Sequence, residues 1–276
     1  MSILYDPHSL GFTDALSAID RCQIAMLREL ANATDGRLIL KGGMAMRVAV
    51  GSMRLTKDVD FDRADGVSTA AVQSSVKIAL QYAVQSAGLR GAQIDAGKST
   101  ETTVRMRLTG TVSGAPVRFV VEVSGRNRVP PECQTRVQVT PPPRYGIAPF
   151  AITTYTHAML AASKVLAVMG ANRNVPRDVY DLHDLLAADP VPILARSVGR
   201  AGLLEIQAAA LDKICAIDYA QAQQELLAYI PAAQRDALGL ARWEEMTLNV
   251  AQAVQQWVGR SLDSNTSTAS LGACPA

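Results

Sequence analysis

Rings are scarce in this chain. Phe, Trp and Tyr together make up 5% of its 276 residues, so the core must be packed from aliphatic side chains, and hydrophobic residues at 49% are enough to build one. Charge of one sign is also missing. The formal net charge is +2, which excludes bulk attraction to polyanions and leaves any nucleic-acid contact to local basic patches. Histidine occurs three times, and the four cysteines (Cys22, Cys133, Cys215, Cys274) are scattered. No Cys-x-x-Cys pair and no nearby histidine is present, which argues against zinc and fits reduced thiols in a cytoplasm. No apolar run reaches the roughly 20 residues that a membrane span needs. The first residues lack the basic start and apolar segment of a secretory signal. There is no internal repeat.

What is present is concentrated between Leu38 and Asp62. Leu38-Ile39-Leu40 reads as a short strand, Gly42-Gly43 as a turn opening a helix, and Asp58-Val59-Asp60-Phe61-Asp62 as a second strand. Glycines let backbone N–H groups approach a phosphate at a helix N-terminus. Alternation sends Asp58, Asp60 and Asp62 to one strand face and Val59 and Phe61 into the core. Neighbouring carboxylates repel unless a cation lies between them, and Mg²⁺ favours a couple of carboxylates plus phosphate oxygens. Asp58 and Asp60 are therefore the expected Mg²⁺ ligands, and Asp62 reads as a solvated aspartate at the strand end.

Around this stretch, a helix is expected over residues 13–33 with Thr13 as cap, and another over 68–88 ending at Gly88. The period changes to two between Thr103 and Ser124, predicting a β-hairpin about a turn containing Gly110 and Gly114, with a further strand near 136–139. Pro141-Pro142-Pro143 marks a boundary, and the chain reads as helical from Thr153. Asn174-Val175-Pro176 looks like a helix start. The small, polar run from 261 to 276 shows no periodicity and is expected to be disordered.

Two motifs carry a resemblance. The first is Gly42-Gly43, Arg54-x-Thr56 and Asp58-Val59-Asp60-Phe61; the second is Lys164, Arg173, Arg177-Asp178 and Asp181-Leu182. In this order they resemble the AbiEii/AbiGii nucleotidyltransferase-like toxins of bacterial toxin–antitoxin and phage-defence pairs. The resemblance implies a mixed α/β (α+β) nucleotidyltransferase sheet flanked by helices over residues 1–148. A helical domain would follow over 149–260, with the tail at 261–276. It implies a cleft with Asp58, Asp60 and Glu122 on one wall and Lys164 and Asp178 on the other. Glu122 would be the third carboxylate, as base or metal ligand, against the plainer reading of a cross-strand ion pair with Arg105 or Arg107.

The remaining assignments keep alternatives. Gly42 and Gly43 stand where related enzymes have Gly-Ser, so Lys41 or Arg47 would replace the missing hydroxyl; Gly43 otherwise serves only a tight turn. Arg54 grips a triphosphate or is solvated, and Thr56 binds phosphate or fixes the turn. Lys164 would meet nucleotide phosphates by resemblance alone. Asp178 and Asp181 share a helix face, one of them as the functional acid; Asp178 also suits the helix dipole. The arginines at 105, 107, 118, 126 and 128 form either a basic face for RNA or an ordinary solvated sheet face. The implied activity is Mg²⁺-dependent transfer of a nucleoside monophosphate from an NTP to RNA, with the tRNA 3′ end as acceptor and an antitoxin protein as restraint. Transfer to protein or a small molecule, and a non-catalytic nucleotide- or partner-binding module, are the alternatives.

Overall fold

A computed structural model describes residues 2–97, 99–171 and 175–270, with side chains through 264. The chain forms two compact units, residues 1–156 with 229–234, and residues 157–228 with 235–276.

The first unit is organised by hydrophobic alternation. β1 (Ser2–Ile3) precedes α1 (Asp14–Thr34), β2 (Leu38–Lys41) and the single turn α2 (Gly42–Ala45). β3 (Asp58–Arg63), α3 (Thr69–Ala87), β4 (Arg90–Ala96), β5 (Thr103–Val112) and β6 (Ala115–Ser124) follow, then β7 (Gln134–Thr140) and β8 (Phe150–Tyr155). The strands make one mixed sheet in the order β1-β7-β8-β2-β3-β6-β5-β4. β3 lies centrally, antiparallel to β2 and parallel to β6. Every second residue of these strands is buried: Leu38 and Leu40, Val59 and Phe61, Val121 and Val123, Val104 and Met106. That face packs against α1 and α3. Both helices start on the side-chain caps that a serine or threonine supplies: Thr13 accepts from Leu16 N–H, Ser68 from Ala71 N–H. Gly88 ends α3 at φ +66°.

Two expected features differ. The hairpin turn is Ser113-Gly114, both at positive φ, while Gly110 lies within β5 opposite Val117. The residues at 153–155 are strand, not helix: β8 pairs with β7 and β2, and α4 begins at His157. The period-two burial of Phe150, Ile152 and Thr154 is the signal that a helical reading passes over. The sheet therefore extends the first unit past residue 148 to Thr156.

The second unit is helical. It contains α4 (His157–Val168), α5 (Pro176–Asp184), α6 (Val191–Ser197), α7 (Arg200–Cys215) and α8 (Tyr219–Glu225). After α9 (Ala232–Ala237), α10 (Leu240–Ser270) packs on α7, α6 and α5. Trp243, 1% exposed, anchors α10 and donates its indole N–H to Ile217 O at 2.7 Å. Pro176 opens α5 as expected, whereas Arg173 and Asn174 lie outside the described residues. The tail expectation fails for residues 261–270, which continue α10; Ser261 is buried and donates to Trp257 O, and Leu262 is 8% exposed. Residues 271–276 lie outside the described ones. Among the described residues no helix is long and apolar enough to cross a membrane.

Candidate active site

β3 presents its three aspartates to one face, in a gradient of burial: Asp58 exposed, Asp60 half-buried, Asp62 fully buried. Register then determines their neighbours. Lys41 on β2 and Glu122 on β6 are the cross-strand partners of Asp60, and Arg105 on β5 is the partner of Glu122. Partners across strands share a face, so Lys41, Asp60, Glu122 and Arg105 form one row across the sheet.

The glycine turn closes over this row. Gly42 has φ +66°, and a Cβ built on it would lie 2.8 Å from Asp60 Oδ2. The carboxylate thus rests directly against the turn. Gly43 has no positive φ; it is needed for space, since its Cβ would come within 2.9 Å of Arg54 Nη2 and 3.0 Å of Thr56 Oγ1. The turn leads only into the single turn α2 and a wider π-type turn over Met46–Val50. The backbone of Gly42, not the end of a long helix, is what meets Asp60.

Several expected ligands have other positions. Arg47 is 1% exposed and its Nε lies 2.6 Å from Asp20 Oδ1; it also donates to Asp20 Oδ2 and Tyr5 O. Tyr145 donates its hydroxyl to the same aspartate at 2.6 Å, and burial, then Asp20, push its phenol well above its ordinary range. Arg47 therefore belongs to a buried ionic knot, not to a phosphate contact. Arg54 is 3% exposed, donates to Leu55 O at 2.9 Å and packs on Gly43, so the solvated alternative is excluded. Thr56, 5% exposed, bonds with both backbone groups of Asp58 through its hydroxyl and holds the turn into β3.

Glu122 makes the cross-strand ion pair: Arg105 Nε lies 3.2 Å from its Oε2, with both side chains exposed. Among the described residues no three His, Cys, Asp or Glu side chains form a group able to hold a metal. Asp58, Asp60 and Glu122 are thus not a preassembled three-carboxylate site, because Glu122 is turned toward Arg105. Asp58 and Asp60 are adjacent on one face, with the Asp60 carboxylate packed against Gly42. Two adjacent carboxylates suit Mg²⁺, which completes its shell with water and phosphate.

Asp62 overturns its expected role as a solvated strand end. Lys41 Nζ sits 2.7 Å from its Oδ1, and Tyr155 on β8 donates a short hydrogen bond to its Oδ2. Burial, then Asp62, push the Tyr155 phenol well above its ordinary range, so it remains the donor. Its significance was hidden because Tyr155 is 93 residues away in sequence.

In the second unit, Lys164 is buried between two acids. Its Nζ lies 2.7 Å from Asp178 Oδ1 and 2.5 Å from Asp181 Oδ2, and those side chains are 1% and 0% exposed. The choice between the two aspartates does not arise: both hold the lysine. Arg105, Arg107 and Arg118 are exposed on the same sheet face as Asp58 and Asp60, whereas Arg128 pairs with Asp65 at 2.7 Å.

The family model described as nucleotidyl transferase AbiEii toxin, type IV toxin–antitoxin system, matches residues 25–260. The chain belongs to the AbiEii nucleotidyltransferase toxin family. No curated protein sequence matches it. Solved structures that share its fold include two from Helicobacter pylori. JHP933 from Helicobacter pylori is 15% identical, with a TM-score of 0.57, covering 95% of this chain and all of that one. A candidate nucleotidyltransferase from H. pylori is 16% identical, with a TM-score of 0.57, covering 92% of this chain and 98% of that one. Membership makes the chain a nucleotidyltransferase, with a nucleotide as substrate and an antitoxin partner as the family's general expectation.

Proposed function

We propose that this AbiEii-family chain transfers a nucleoside monophosphate from a Mg²⁺-bound NTP to RNA, with the tRNA 3′ end as acceptor. The carrying observation is the adjacency of Asp58 and Asp60 on the β3 face, with the Asp60 carboxylate against Gly42. These two aspartates would hold the ion, which when bound offsets charge on the phosphates as the acceptor oxygen attacks and pyrophosphate leaves. Gly42 and Gly43 shape the turn that a phosphate would approach, and Thr56 keeps Asp58 in position through its two backbone contacts. Exposed Arg105, Arg107 and Arg118, on the same sheet face, favour a polyanionic acceptor over a neutral small molecule. In the second unit, Asp178 and Asp181 hold Lys164. A cognate antitoxin would restrain the activity in a cytoplasm.

The test is transfer from each of the four α-labelled NTPs to total tRNA with Mg²⁺, with Asp60→Ala as control. Label in tRNA from the native protein alone is the expected result. Label entering protein or small-molecule acceptors but not tRNA would replace the acceptor. No transfer to any acceptor pool by folded protein would overturn the reading.

A further inference from the structure

We propose that Lys41 is a permanent cation of the nucleotide site, contacting the triphosphate and held in place by Asp62 and Tyr155 as positioning residues. The inference rests on the reading of Asp58 and Asp60 as the metal-holding pair.

β3 carries three carboxylates on one face, roughly 7 Å apart along the strand. The third of them, Asp62, is paired with a lysine. Lys41 reaches Asp62 at 2.7 Å, yet its own side chain stays 24% exposed while that of Asp62 is 0% exposed. The side chain therefore runs from the row to a buried anchor. Its Cα partner across the ladder is Asp60, so the Lys41 stem leaves the sheet beside the carboxylate that rests on Gly42. Lys41 is also the residue directly before the Gly42-Gly43 turn.

The anchor is overdetermined in a way a plain ion pair is not. Asp62 uses one oxygen for Lys41 and the other for the hydroxyl of Tyr155, which is itself 2% exposed. With both oxygens engaged, Asp62 has little left to offer a metal. The division of labour follows: Asp58 and Asp60 hold a divalent ion, and Asp62 holds a lysine. Mg²⁺ takes only one or two carboxylates and leaves the rest of its shell to water and phosphate. A triphosphate carries more charge than one such ion neutralises, and an ammonium with three N–H donors, one of them given to Asp62, offers it further charge-assisted hydrogen bonds.

The test separates this from a structural ion pair. Neutralising both partners together, as Lys41→Met with Asp62→Asn, leaves no uncompensated buried charge, so the fold should persist. Affinity for ATP, CTP, GTP and UTP is measured by equilibrium titration with and without Mn²⁺, alongside melting temperature and direct Mn²⁺ binding. The expected result is a tenfold or greater loss of affinity for the preferred nucleotide. Mn²⁺ affinity without nucleotide should stay within threefold of the native protein, and Asp58→Asn should abolish it. Tyr155→Phe should weaken nucleotide binding severalfold in the same direction. A folded double variant that binds nucleotide within twofold of the native protein overturns the role of Lys41. Native nucleotide binding that is indifferent to Mn²⁺, but lost in the double variant, keeps Lys41 and overturns the metal reading instead.

Discussion

Gly42→Ala is the perturbation whose consequence can be worked most directly from the structure. Gly42 has φ +66°, a conformation that costs an L-residue about 1–2 kcal/mol. Its new methyl would also stand 2.8 Å from Asp60 Oδ2, whereas ordinary contact starts near 3.4 Å. The carboxylate would have to retreat by roughly 0.6 Å, just beyond the ~0.5 Å within which a catalytic constellation must be held. Misplacement on that scale lowers rates by about tenfold to a hundredfold. Gly66→Ala provides the matched control: φ is +77° there, but nothing lies within 4 Å of the added Cβ. Both variants should lose about 1–2 kcal/mol in urea unfolding from backbone strain. Only Gly42→Ala should lose Mn²⁺ affinity and nucleotide transfer. Equal transfer and equal Mn²⁺ affinity in the two alanine variants would refute the placement of Asp60 as a metal ligand beside the glycine turn.

Two further outcomes follow from buried groups. Lys164→Met removes the ammonium shared by Asp178 and Asp181, whose side chains are 1% and 0% exposed, and should cost about 3–5 kcal/mol in urea unfolding; adding Asp178→Asn and Asp181→Asn should restore most of that, and a single-variant loss below about 1 kcal/mol would contradict the buried triad. Burial pushes the Cys22 thiol from 9.0 up to about 12, against a smaller lowering by Arg21, so the thiol holds its proton longer folded than unfolded. Its stabilising contribution is complete below pH 9.0 and is lost as pH rises toward about 12, seen as an alkaline fall in melting temperature that Cys22→Ala reduces. At pH 8 a thiol reagent should label exposed Cys215 while sparing buried Cys22 and Cys133 in a Cys274→Ser background.

Local physics made much of this protein legible. Alternation along 58–62 and 103–123 predicts strands with apolar residues inward, because successive side chains of a strand point to opposite faces. Thr13, Gly88 and Pro176 mark helix ends because capping depends on residues within one turn. The two short motifs were sufficient to suggest the family. Side-chain partnerships were another matter. Arg47 read as a phosphate ligand until the fold set it against Asp20 and Tyr145, the latter pair 125 residues apart. Asp62 read as solvated until Tyr155, 93 residues on, covered it. Glu122 is set by register beside both Asp60 and Arg105, and its ion pair with Arg105 is a contact that spacing along the chain does not give. A charged residue's role depends on which opposite charge lies within a few ångströms and on how much water is excluded. Both are settled by distant segments meeting, and neither is written in the spacing of neighbours along the chain.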